Sequence, residues 1–209
     1  MKKFITTALY ASIILIMAGC AKHVSTGPNE ANERYFDAWM KVNHPTAKPS
    51  GLGIYVLNEK KGSGQSQAEV KENGYAYLSY KISSLSGEIS SYTDKETAKQ
   101  LGDYDTTTYY GPKFNSTIPG TSPAGFLEGL VGMKVGDSKK FIVPSWLMNF
   151  SVYDTEEEYL SPDEEGYKAS NYESTIYEIT VEDYTEDIEK WQRGRIGRYF
   201  AENTDVFGN

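Results

Sequence analysis

The sequence predicts an α+β fold, and three stretches carry that prediction. Residues 75–84 (YAYLSYKISS) alternate, with Ala76, Leu78, Tyr80 and Ile82 on one side and Tyr75, Tyr77, Ser79 and Lys81 on the other. A period of two over this length is that of a strand with one buried face. Residues 125–144 (GFLEGLVGMKVGDSKKFIVP) pass from a short helical pattern through a Gly136-Asp137 turn into a strand over 139–143. Residues 175–181 alternate again, Ile176, Glu178 and Thr180 against Tyr177, Ile179 and Val181.

The chain begins with the basic Met1-Lys2-Lys3, followed by a mostly apolar run from Phe4 to Met17 that is of signal-peptide length and short for a membrane span. The run ends in LIMAGC, which resembles the lipobox of bacterial lipoproteins. The alternative is an ordinary secretory signal beside an incidental cysteine. Cys20 is the single cysteine of the 209 residues and stands at the lipobox position. The resemblance implies a mature chain beginning at Cys20, with that thiol lipid-modified and unable to form a disulfide, so that stability rests on packing. Several acyl chains anchor a protein stably. Ala21-Lys22 places no acidic residue after the cysteine. By resemblance to lipoprotein sorting rules, this implies an outer-membrane location facing the periplasm.

The remaining elements follow in order. Residues 21–32 are polar and read as a tether. Residues 33–42 carry Tyr35, Phe36, Trp39 and Met40 at helical spacing, a stripe that docks on the main domain or meets a partner. Asn43-His44-Pro45 stops this helix, and residues 46–51 form a linker. Residues 53–57 are rich in β-formers, and Ser86-Gly87 reads as a hairpin turn after the long strand. Residues 94–101 suit a short helix, and 115–124 are turn-rich. Ser122 is placed to cap the central helix, with Pro123 at its first position and Phe126, Leu130 and Met133 along one face. Residues 153–171 form an acidic loop. Residues 187–202 read as a final amphipathic helix with Ile188, Trp191 and Tyr199 on one side and basic residues among them. The domain division is therefore 1–19 signal, 20–50 tether and helix, 51–183 main domain and 184–209 C-terminal helix.

Several function classes are excluded by these residues. A net charge of −8 opposes nucleic-acid binding, which needs a basic face. There is no G-x-S-x-G, and the two histidines, His23 and His44, lie in the tether region, so serine-hydrolase chemistry finds no partners. The acidic stretches 154–158 and 163–165 lack the spaced ligands and central glycine of a calcium loop and read as a solvated insertion. No cofactor and no metal is expected.

Residues 51–183 resemble the FKBP-type peptidyl-prolyl cis-trans isomerases. The likeness rests on GLGIYVLNEKKGSG, YAYLSYKISSLSGEI, the 125–144 segment and TIYEITVEDY, in the order of that family. It implies a twisted antiparallel sheet wrapped around one short helix, with a proline-binding pocket between them. It also implies an isomerase for proline-containing unfolded or exported proteins, with Tyr80, Phe126 and Tyr177 as its catalytic aromatics. Tyr110, or Tyr109 beside it, stands for the flap ring, and Ile118 for the residue whose backbone NH meets substrate. Asn149 stands where the family has a pocket tyrosine, and Ser90 and Ser91 where it has phenylalanine and aspartate. The bland reading of each aromatic is core. Two other functions stay open: a non-catalytic FKBP-like binding or chaperone lipoprotein, and an accessory subunit docking through its terminal helices.

Overall fold

The computed structural model describes residues 28–63, 68–148 and 173–203. Cys20, Asn149 and the acidic loop lie outside the described residues. Within them the chain is α+β, as expected. One sheet holds six strands: β1 (Tyr55–Lys60), β2 (Tyr75–Ser84), β3 (Ile89–Tyr92), β4 (Lys113–Ser116), β5 (Ser138–Val143) and β6 (Thr175–Thr185). The helices are α1 (Pro28–Asn43), α2 (Lys95–Leu101), α3 (Ala124–Leu130) and α4 (Ile188–Glu202).

All pairings are antiparallel, and the strand order is β1-β5-β6-β2-β3, with β4 also on β2. β2 pairs with β6 along its length, from Tyr75 opposite Thr185 to Ser84 opposite Thr175. Its other edge is shared. The first half meets β4, from Tyr75 opposite Ser116 to Leu78 opposite Lys113, and the second half meets β3. Between β3 and β4 the chain leaves the edge to form α2, capped by the Asp94 carboxylate, which accepts from the Thr97 NH at 2.7 Å. Gly102, at φ +79°, ends this helix with a left-handed residue.

The alternation read from β2 and β6 sorts the sheet into two faces. The inner face carries Ala76, Leu78, Phe141, Val143, Tyr177, Ile179 and Val181, packed with Phe126, Leu130 and Met133 from the α3 region. Helix α3 rides close to β5 because Gly125 and Gly129 face it. A Cβ on Gly129 would run into the Phe141 ring, and one on Gly125 would meet Val143 and Leu147. The outer face carries Ile142 and Ile176, covered by Phe36 and Met40 of α1. The apolar stripe expected over 33–42 thus docks on its own sheet. At the other end of the outer face, Trp191 of α4 lies 5.2 Å from the Tyr77 ring and 4.7 Å from Phe114, and its Nε1–H donates to Asp183 at 2.7 Å.

Four local expectations are corrected. Ser122 does not cap α3: its hydroxyl donates to the Ser116 carbonyl at 3.0 Å, and Pro123 holds the cap position without a side-chain bond. Helix α3 ends at Leu130, because Val131 is extended and Gly132 takes φ +88°, while Met133 still reaches the core at 1% exposure. Strand β1 begins at Tyr55 rather than Gly53, because Ser50 and Ile54 close a tight loop in which the Ser50 NH donates to the Ile54 carbonyl at 2.8 Å. Strand β4 falls across the start of the stretch read as turn-rich.

Candidate functional site

The inner face brings three aromatic rings together. Phe141 on β5 stands opposite Tyr177 on β6, and the register stacks the two rings at 5.3 Å and 14°. From α3, Phe126 meets the same tyrosine at 5.2 Å and 48°. Tilted and offset arrangements of this kind are favoured by the ring quadrupoles. Phe126 is 7% exposed and Tyr177 5%. Tyr80, half-buried on β2 opposite Ile179, packs against the inner-face core that holds these rings. Its strand position is clamped by Thr93, whose hydroxyl accepts from the Tyr80 NH at 2.9 Å and whose own NH donates to the Tyr80 carbonyl at 3.0 Å.

Two of the three expected catalytic aromatics, Phe126 and Tyr177, are therefore in ring contact, and the third packs on the same inner-face core. Phe141 was not singled out in the sequence. The signal was present in the Lys139-Phe141-Val143 alternation, which puts that ring on the face of Tyr177. The chemistry of the cluster is neutral and apolar. The Tyr177 hydroxyl donates to the Met148 sulfur at 3.5 Å, and burial pushes the phenol above its usual range, so it remains an uncharged donor.

The other expected residues sit elsewhere. Tyr110 belongs to the 102–112 loop, where its hydroxyl accepts from the Asp105 NH at 2.9 Å, donates to the Asp103 carbonyl and stacks on Tyr104 at 5.6 Å. Tyr109 hydrogen-bonds Tyr77 through the two hydroxyls at 3.1 Å. Ile118 lies in the turn before α3, half-buried, with its NH donating to the Ser116 hydroxyl at 3.2 Å. Ser90 is exposed on β3, and its hydroxyl donates to the Ile82 carbonyl at 3.4 Å. Ser91 stands opposite Ile82.

A polar frame, absent from the sequence reading, fixes α3 against the sheet. Lys139 reaches back along the inner face and donates to the Gly129 carbonyl at 2.8 Å, which satisfies an open acceptor at the end of α3. Burial holds its ammonium pKa below the usual lysine value. Glu128 accepts from the Leu52 NH at 2.9 Å, and burial raises its carboxyl above the usual range. On the outer face, Lys81 and Lys140 flank Glu178 at 3.3 and 3.2 Å, along a polar groove of about 580 Å³. Among the described residues no group of three His, Cys, Asp or Glu side chains is placed to hold a metal, and no helix is long and apolar enough to cross a membrane.

No family model and no curated protein matches the chain. Among solved structures it is similar to FkpA from Escherichia coli, at 16% identity and a TM-score of 0.45, covering 86% of this chain and 70% of that one. It is also similar to a peptidyl-prolyl cis-trans isomerase from Pseudomonas syringae pv. tomato, at 17% identity and a TM-score of 0.46, covering 76% of this chain and 97% of that one. A third is AtFKBP13, at 11% identity and a TM-score of 0.42, covering 66% of this chain and 98% of that one.

Proposed function

We propose that the chain is an FKBP-type peptidyl-prolyl cis-trans isomerase, held by a lipidated Cys20 at the outer membrane, facing the periplasm, and acting on proline-containing exported polypeptides. One observation carries this reading. Phe126 on α3 and Tyr177 on β6 meet at 5.2 Å, and the sequence resemblance assigns these two residues to the floor and wall of a proline site.

The chemistry asks little of the side chains. Rotation about the peptide C–N bond costs about 18–20 kcal/mol because it breaks amide conjugation. For an Xaa-Pro bond the two end states are nearly balanced, so the barrier is the whole difficulty. The twisted amide is less polar than the planar one. A dry aromatic pocket floored by Phe126 and walled by Tyr177 disfavours the planar form more than the twisted one. A neutral hydroxyl such as that of Tyr80 adds a donor to the carbonyl or to the rehybridised nitrogen. An acceleration of ~10⁵-fold requires about 7 kcal/mol from these effects together. No nucleophile, metal or general base takes part.

A second reading is binding without turnover. It is favoured by Ser90 and Ser91 at the positions of the family's phenylalanine and aspartate.

Exchange NMR on Xaa-Pro peptides, with protein starting at Ala21, separates the two. The isomerase reading expects cis/trans exchange to accelerate with added protein and to fall back in Phe126→Leu, with thermal melting showing that the variant is folded. Binding of the peptides without acceleration would establish the second reading instead. The anchor has its own test: Cys20→Ser moves the chain from the membrane fraction to the soluble fraction.

A further inference from the structure

A second cavity lies at the end of the sheet where β1 begins and β5 ends. It has a volume of about 350 Å³, between α1, the loop around Gly51 and Gly53, and the 3-10 turn Ser145–Leu147. Nothing in the isomerase reading uses it.

Its lining combines rings and negative charge. Phe36, Tyr55 and Trp146 contribute aromatic rings, and Glu33 and Asp37 are the carboxylates among its described lining residues. The helix explains part of this grouping. Glu33, Phe36 and Asp37 are at i, i+3 and i+4, so one side of α1 carries a ring and two carboxylates. Phe36 is 5% exposed and meets Tyr55 edge-on at 5.5 Å, which fixes the floor. Trp146 is brought over the loop by Gly53, which takes φ +131°. A Cβ on that glycine would lie 2.7 Å from the indole. A side chain at position 53 would displace this wall.

We infer that this cavity binds an organic cation of the alkylammonium or guanidinium class. Aromatic walls attract a cation through the negative faces of the rings. The two carboxylates add charge of the complementary sign, and an anionic ligand would meet both of them. The net charge of −8 draws cations toward the molecule as a whole. The volume stands at the small end of ligand cavities and suits one lysine-like or arginine-like head with its stem. The site is distinct from the isomerase reading, because none of the residues that reading uses lines it.

The test is a ¹H–¹⁵N NMR titration of the chain from Ala21, which keeps every described residue, with the Trp146 indole signal assigned through Trp146→Phe. The probes are n-butylammonium, N-acetyl-lysine methylamide and N-acetyl-arginine methylamide, with the uncharged N-acetyl-norleucine methylamide as control. The expected result is a saturable shift of the Trp146 Nε1–H and of the Glu33 and Asp37 amides with the cations and not with norleucine. Affinity should fall roughly tenfold or more in Glu33→Gln/Asp37→Asn, whose amide dispersion shows it to be folded. A peptide with one central lysine separates the sources: tighter binding than n-butylammonium identifies a polypeptide side chain, and equal binding a free amine. The inference is overturned by equal shifts with norleucine, by undiminished affinity in the folded double variant, or by no saturable shift at all.

Discussion

Asp137 is 2% exposed and joins three stretches of chain: its carboxylate accepts from the Gly62 NH at 2.8 Å and the Lys134 NH at 3.1 Å, and Lys61 approaches at 3.4 Å. Burial alone would raise its pKa, but these donors outweigh that cost and hold it below the usual carboxylate value. Asp137→Ala leaves the Gly62 and Lys134 amides without their acceptor and costs about 1–3 kcal/mol in urea unfolding at neutral pH. A depressed folded pKa stabilises the fold above the unfolded carboxylate value of about 3.9 and loses that contribution as pH falls through the lower folded value. The gap between native and variant midpoints is therefore full at pH 5 and above and closes as the pH is taken down below about 4. Gly129 makes a second demand, a steric one. Gly129→Ala drives a methyl into the Phe141 ring and costs about 1–3 kcal/mol; a denaturant midpoint that did not move would show that α3 can lift from β5 freely. Asp137 and Gly136 are legible in the sequence as a turn. The role of Gly129 is not, because what it avoids is the ring of Phe141, twelve residues away in sequence and placed there only by packing.

At the scale of elements, β2 was the most readable segment, because eight alternating residues, 75–82, admit one strand and one buried face. Strand β4 was not readable: KFNS is four residues long, partly polar, and takes its pairing from β2 rather than from its own pattern. The positions of Phe126 and Tyr177 were legible through motif order. Their contact with Phe141, and the engagement of the Tyr110 hydroxyl within its own loop, depend on register and loop closure that no local pattern encodes. Helix α4 illustrates tertiary support. Its 15 residues include none that is buried, and an isolated helix of this length is marginal in water. Trp191 and its bond to Asp183 are what seat it. Trp191→Ala is expected to raise amide exchange in α4 by about tenfold or more while β5 and β6 keep their protection. Equal loosening of the sheet would show that α4 also supports the core.

For the whole molecule, the sequence division at residue 51 cuts through a packed unit. Phe36 and Met40 of α1 cover Ile142 and Ile176, so the sheet has apolar contacts on both faces. A chain beginning at Gly51 forfeits these contacts. Burial of two such side chains is worth about 3–6 kcal/mol, and the shortened chain is expected to unfold at correspondingly lower urea and to bind a hydrophobic dye on its uncovered face. Stability equal to that of the chain from Pro28 would show α1 to be an appendage. The shared edge of β2 has a different consequence. Because β3 and β4 each occupy half of it, that border of the sheet is two four-residue pieces separated by the excursion through α2. The opposite border, β1, is interrupted by a register shift between Val56 and Asn58 and ends in Glu59 and Lys60. Among the described residues, neither border offers a long, flat, uncharged row of amides and carbonyls to a neighbouring chain. The molecule is thereby guarded against strand-to-strand polymerisation, a hazard for any β-rich protein crowded among unfolded polypeptides.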